Sequence, residues 1–214
     1  MNIYYITNSS FLIKTQNGKR ILINPTKFTS NIENIDLIAI NNLNYQSTES
    51  INNFDNSKIL NSVGTFINDF CTITSFNSYQ DTLLGYKRGE NIIFKITVEN
   101  LTLCHLGNLG HPLDDSVIKS LEYIDILFVP VGENYTIKFA DLKNLIIKLS
   151  PKYIIPMHYK LSDKNLSMNS LDKFLIFFNS FTIKSLDSLL ITDTINSNIS
   201  KKIIILNPNE KILE

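Results

Sequence analysis

The apolar pattern of this 214-residue chain changes character once, near His111-Pro112, and that change limits the folds open to it. Before it, short apolar runs are separated by turn residues, the pattern of strands. Ser10–Thr15 and Arg20–Ile23 flank Gln16-Asn17-Gly18-Lys19, and the Asn-Gly pair predicts a type I′ hairpin turn. Residues 35–40 read as a buried strand, and the polar stretch 41–56 gives room for a short helix. Asn91–Ile96 and Leu101–His105 read as a second hairpin, joined through Glu99-Asn100. After the change, strands and helices alternate. Helices are predicted over 114–121, capped by Asp114 or Asp115, over 139–149, and over 168–178. Between and after them, 125–130, 153–156 and the runs at Ile191 and 203–205 read as strands, and Ser150-Pro151 stops the middle helix. A strand-rich half leading into strand–helix alternation predicts two sheets with helices outside them, in one domain spanning 1–214.

Charge narrows the partners. Twenty basic residues balance twenty acidic ones, so no global field draws in nucleic acid or an anionic membrane. No stretch reaches the roughly 18 to 20 apolar residues of a membrane span. The first residues lack the basic and apolar regions of a signal peptide, and the two cysteines, Cys71 and Cys104, cannot build a disulfide framework. The cytoplasm is the expected compartment. Asn and Ile together make up about 60 residues, far above average usage, which the AT-rich codons of a low-GC bacterial genome explain.

Three histidines exist, and two of them frame Cys104-His105-Leu106-Gly107-Asn108-Leu109-Gly110-His111, while the third closes Ile155-Pro156-Met157-His158. Both segments follow predicted strands, where α/β-type folds place their sites. Read in order, several segments resemble the metallo-β-lactamase-fold hydrolases, in the branch related to ascorbate-6-phosphate lactonase. They are Ser9–Ile13 with Gly18–Pro25, Arg88-Gly89-Glu90-Asn91, His105–His111, Asp125–Gly132, Tyr135-Thr136-Ile137 and Pro151–Tyr159. The resemblance implies an αββα sandwich of the α+β class, with two mixed sheets face to face and helices outside.

The departure lies in the metal motif. Family enzymes carry His-x-His-x-Asp-His after the strand that matches residues 36–40, a spacing that grips two zinc ions. Here the matching positions are Asn42, Asn44, Gln46 and Ser47. By the same resemblance a later histidine matches Gln80, the bridging aspartate matches Asn108, and the last histidine remains as His158. The early Gly-His matches Thr7-Asn8, and the Asp-Pro matches Asn24-Pro25. Six of about seven ligand positions therefore carry neutral side chains that bind zinc poorly. Without a dication, clustered carboxylates would repel one another, whereas amides donate and accept and can satisfy one another or hold water.

The expectation is thus a protein without a metal cofactor and without hydrolase activity, its pocket lined by Asn42, Asn44, Gln46, Ser47, Gln80, Asn108 and His158, kept for a binding, regulatory or structural role. The partner would be a small molecule or a protein, with neither nucleic acid nor membrane, and self-association into a homo-oligomer stays open. The rival is a zinc-dependent hydrolase of lactonase or phosphodiesterase type, with one ion held by His158, His105 or His111 helped by Asp81 or Glu133. A third reading makes the amide pocket a sensor for a polar ligand. Other constellations read as structure: Cys104 as core, Asp114-Asp115 as a helix cap, Ser9-Ser10 as hairpin, and Lys87-Arg88 as a solvated turn. The resemblance also turns Tyr135 and Tyr159 toward the pocket.

Overall fold

The computed structural model describes residues 1–42, 54, 56–161, 169–191 and 201–209. The first sheet holds β1 (Asn2–Thr7), β2 (Ser10–Lys14), β3 (Arg20–Ile23), β4 (Leu37–Ala39), β5 (Lys58–Leu60) and a late strand, β13 (Leu189–Leu190), in the order β13-β1-β2-β3-β4-β5. The second holds β6 (Gly64–Ile67), β7 (Cys71–Tyr79), β8 (Glu90–Val98), β9 (Leu101–His105), β10 (Ile126–Pro130), β11 (Tyr153–Met157), β12 (Thr182–Leu186) and β14 (Lys202–Leu206), in the order β12-β14-β11-β10-β9-β8-β7-β6. Both sheets are mixed. β1, β2 and β3 pair antiparallel while β3, β4 and β5 pair parallel, and β6 to β9 form a meander before β9, β10, β11 and β14 run parallel. This is the two-sheet sandwich that the order of the elements predicts.

Strand alternation explains the apolar runs. Phe11, Ile13, Ile21, Ile23, Leu37 and Ala39 face the core shared with the second sheet. The intervening Leu12, Leu22 and Ile38 pack with Ile6, Ile32, Ile35, Ile40 and Phe54 on the opposite face. A sheet buried on both faces has no polar positions to spare, so its strands read as continuous apolar stretches. Phe11 of β2 lies 5.0 Å from Tyr5 of β1, 4.6 Å from Phe128 of β10 and 5.8 Å from the His105 ring of β9, which joins the two sheets through aromatic contacts.

Among the described residues three helices follow the change in pattern: α1 (Asp115–Ser120), α2 (Phe139–Leu149) and α3 (Leu171–Phe177). Phe139, Leu142, Leu145, Ile146 and Leu149 bury one side of α2, as their spacing predicts. Ser150 ends α2 in the left-handed conformation. Two local expectations are corrected. Asp114 precedes α1 without a side-chain cap, and Asp115 instead pairs with Lys148 of α2 at 2.7 Å. In the first hairpin Gly18 has positive φ but Asn17 does not, so the turn is not type I′. Positive φ at two successive residues occurs instead at Glu99 and Asn100, between β8 and β9. Of the predicted helix at 168–178, residue 168 lies outside the described residues, and so does most of the polar stretch after Asn42. Among the described residues no helix is long and apolar enough to cross a membrane.

Candidate functional site

The strand ends of both sheets meet around a small cavity lined by Asn8, Ser9, Ser10, Asn24, Asn41, Asn42 and Asn108, with Pro25, Thr26 and Ile40. Its water-accessible space is ≈ 30 Å³, room for one or two waters. Asn8 and Asn24 both take left-handed backbone conformations, which asparagine tolerates better than most residues. Asn24 Oδ1 accepts from Asn41 N at 2.9 Å, and Asn24 Nδ2 donates to Asn41 Oδ1 at 2.8 Å and to Ser9 Oγ at 3.0 Å. Asn41 then crosses between sheets: its side-chain amide donates to the Ile92 carbonyl, and its own carbonyl accepts from Ile92 N at 2.9 Å.

A second amide centre stands on β8. Asn91, fully buried, donates to Ser78 Oγ at 2.7 Å and to the Leu106 carbonyl at 2.9 Å, and its Oδ1 accepts from Asn108 N at 2.8 Å. Asn108 Nδ2 donates to Gln80 Oε1 at 3.3 Å, and Gln80 Nε2 donates to the Glu90 carbonyl at 3.0 Å. Gly107 has φ +61, and a Cβ there would collide with Asn91 Oδ1 and sit 2.9 Å from Asn41 Nδ2. Glycine is needed because the two amide centres close over its α-carbon.

Of the residues singled out from sequence, Asn42 and Asn108 line the cavity and Gln80 joins through Asn108. His158 does not line it but is tied to it, since His158 N donates to the Asn8 carbonyl at 2.8 Å. Asn44, Gln46 and Ser47 lie outside the described residues. Among the described residues, Ser10 Oγ and Asn108 Oδ1 at the cavity and His158 Nδ1 are buried without hydrogen-bond partners. Burial lowers the His158 pKa to about 4, so the ring is neutral near pH 7. Asn41 and Asn91 carry the network and were missed from sequence, although Asn91 stood in the quoted Arg88–Asn91 turn; an amide opening an otherwise apolar strand was the available signal.

The other candidate ligands are engaged elsewhere. His105 is completely buried, donates through Nε2 to the Ser9 carbonyl at 3.1 Å and accepts at Nδ1 from Gly107 N at 3.2 Å. Burial lowers its pKa to about 3. His111 Nε2 accepts from Tyr79 N, and its Nδ1 faces the Pro112 carbonyl. Glu133 accepts from Asn169 Nδ2 at 2.7 Å. Asp81 accepts four backbone N–H groups, from Leu83 and Gly85 on Oδ1 and from Lys87 and Arg88 on Oδ2. Burial raises its pKa, but these donors outweigh that and hold the carboxyl below its ordinary range. The turn it anchors places Arg88 over the Tyr135 ring, 5.2 Å from the centroid, with Nη1 donating to the Gln80 carbonyl at 3.4 Å. Tyr159 is buried and packs on Tyr5.

Similar proteins carry metals in their descriptions. A UPF0173 metal-dependent hydrolase of Carboxydothermus hydrogenoformans is 38% identical over 66 residues, covering 31% of this chain and 29% of that protein. Over that match the chain thus spans less than a third of the relative's length. One from Nanoarchaeum equitans is 26% identical over 187 residues, covering 74% of this chain and 84% of the relative. A solved structure from Thermotoga maritima, described as a Zn-dependent hydrolase of the metallo-β-lactamase superfamily, superposes with a TM-score of 0.74 at 25% identity, over 96% of this chain and 98% of that one. The expectation that no metal cofactor belongs to this protein is corrected on that finding: its relatives are metal-dependent. What the described residues offer a dication is nonetheless thin. They contain no cluster of three histidine, cysteine or carboxylate side chains able to hold one, and the open donors are one imidazole nitrogen, an amide oxygen and a hydroxyl. A catalytic zinc takes about three nitrogen, sulfur or carboxylate ligands, so this donor set does not fit it. A family model described as the beta-lactamase superfamily domain matches residues 2–158, and with the two-sheet architecture it establishes that the chain belongs to the metallo-β-lactamase superfamily.

Proposed function

We propose that this chain is a member of the metal-dependent hydrolase family that has given up turnover and is kept for a binding role centred on its amide-lined site. One observation carries the reading: the hydrogen-bonded pair Gln80–Asn108 stands where the resemblance calls for a histidine and a bridging aspartate, and it leaves Asn108 Oδ1 buried and unpartnered. An unsatisfied buried acceptor costs about 1–3 kcal/mol, a cost relieved when a donor arrives. Ser10 Oγ on the cavity wall and His158 Nδ1, whose backbone bonds to Asn8, are two more buried atoms without partners. Left-handed backbone at Asn8, Asn24 and His158 supports the reading, because strained conformations of this kind concentrate where ligands bind. Hydrolysis needs an activated water, and among the described residues no histidine or carboxylate lines the cavity. The free, buried cysteines support a reducing compartment such as the cytoplasm.

The test is an assay for opening of a lactone and cleavage of a phosphodiester, with zinc or manganese added in excess. We expect no turnover above that of His158→Ala. Saturable turnover that the His158 substitution abolishes would favour the rival, a metal-dependent hydrolase with a reduced site.

A further inference from the structure

Each sheet ends in two edge strands, and a free edge pairs with another chain unless it is very short or carries charge. Three of the four edges are protected in this way. β13 has two residues, β5 has three and starts at Lys58, and β12 carries exposed Lys184 at its centre. The fourth, β6, ends the eight-stranded sheet and is uncharged. Residues 59–68 around it contain no charged residue and no proline. Two large apolar side chains stand exposed along this stretch, Val63 at 57% and Ile67 at 71%. Among the described residues β6 pairs with β7 alone.

Asn68 N donates to the Cys71 carbonyl at 3.1 Å where β6 turns into β7. Bonded positions alternate along an antiparallel ladder, so Phe66 and Gly64 also bond toward β7, opposite Ile73 and Ser75. Thr65 and Ile67 therefore turn their N–H and C=O groups away from the sheet, and the same alternation applies to Val63. Their side chains share one face, with Thr65 opposite Thr74 and Ile67 opposite Thr72. A two-fold axis at Thr65 makes this edge its own complement. Thr65 of each copy then faces Thr65 of the other, and Val63 of each faces Ile67 of the other. One register thus pairs the outward backbone groups and covers both exposed apolar side chains. Gly64, where a Cβ would meet nothing within 4 Å, falls opposite Phe66. No like charges oppose each other within the stretch, and Lys58 and Asp69, which bound it, are opposite in sign.

We infer that the β6 edge is a self-association surface, on which a second copy of this chain pairs antiparallel about Thr65 and continues the eight-stranded sheet across a dimer. This surface is separate from the amide-lined site and does not rest on the role proposed for it. Pairing about a two-fold axis uses up the edge on both copies, so the assembly stops at two. Two strands this short bury less than about 1,200 Å², the class of weak interfaces, so the dimer forms reversibly as concentration rises.

Analytical ultracentrifugation of the full chain from about 5 to 500 micromolar should show monomer passing toward dimer, the range in which a weak interface fills. Hydrogen exchange should slow at the Thr65 and Ile67 amides as concentration rises and stay constant at Phe66, whose N–H already bonds to β7. Thr65→Pro removes an outward N–H and no bond of the β7 ladder. By symmetry two intermolecular hydrogen bonds are lost, so the dimer should weaken at least about tenfold. Ile67→Lys sets an ammonium against Val63 and should leave monomer throughout the range. Ile183→Lys, on the far edge strand β12, should leave association unchanged. Circular dichroism checks that each variant is folded, and Ile67→Lys decides if Thr65→Pro is not. A wild-type chain that stays monomeric across the range overturns the inference. So does a dimer that survives either β6 substitution in folded protein, one that Ile183→Lys dissolves, or one whose protected amides lie outside residues 63–67.

Discussion

Asn24 and Asn41 do with paired amides what carboxylates crowded at one point cannot do without a cation: each donates and accepts, so four polar atoms are satisfied with no net charge. The arrangement depends on Gly107, whose α-carbon lies under both Asn91 and Asn41. Gly107→Ala should force those side chains apart and break their hydrogen bonds. A stability loss of about 2–4 kcal/mol is expected from the left-handed φ together with the buried groups left unpaired, measurable by urea denaturation. The histidines give a pH signature. Burial holds His158 at about 4 and His105 at about 3 in the folded protein, against 6.5 for an ordinary histidine. Above pH 6.5 neither state is protonated at these sites. As pH falls below 6.5 the unfolded chain gains protons that the folded protein refuses, so stability declines until the folded values are reached. The two groups together should remove about 4 kcal/mol between pH 7 and pH 5. Asp36 and Asp81, held low, act in the same direction only at lower pH. Denaturation at pH 7, 6 and 5 checks this, and His158→Gln should remove roughly half of the slope. A flat profile would show that the imidazoles are not sequestered.

At the scale of elements, turns fix what the strands leave open. The turn from Asp81 to Gly89 has no regular structure of its own and is organised by one carboxylate accepting four N–H groups. Asp81→Asn keeps one oxygen and turns an N–H₂ group toward the amides of Lys87 and Arg88. Hydrogen exchange at residues 83–88 should then rise, while that of β7 and β8 stays unchanged. Helix α2 ends at Ser150 with φ 51 and ψ 44, a conformation that glycine adopts without a Cβ penalty. The side chain is exposed, so Ser150→Gly should stabilise the protein by about 0.5–1 kcal/mol, read as a higher thermal midpoint.

For the whole molecule, the contact between sheets sets cooperativity. Phe11 touches aromatic rings from both sheets and is completely buried. Phe11→Ala should cost about 3–5 kcal/mol and lower the urea midpoint in one transition, since both sheets share the core it fills. Two separate transitions would show that the sheets unfold independently. The amide bridge from Asn41 to Ile92 adds a polar link between the same sheets at the cavity, so the site sits where the two sheets are tied together.

The short apolar runs at Ser10–Ile13 and Ile126–Pro130 and the 3.6-residue spacing of Phe139–Leu149 determined their strands and helix, because run length and spacing need only neighbours along the chain. The amides that stand where the resemblance calls for metal ligands, on which the proposed loss of turnover rests, could likewise be read from order alone. Tertiary structure decided the rest. Asn41, Asn91 and Gly107 come together from β4's exit, β8 and the loop after β9, and no spacing along the chain brings them into register. Arg88 reads as a solvated charge in sequence because its platform, Tyr135, lies far away along the chain, beyond β10. The first turn departs from the Asn-Gly expectation because that dipeptide permits two positive φ angles without requiring both, and the loop bonds from Thr15 to Gly18 and Lys19 select the geometry. Sequence supplied residue types and periods, which are local. Register, burial and hydrogen-bond partners belong to pairs of distant residues, and only the packed sheets could assign them.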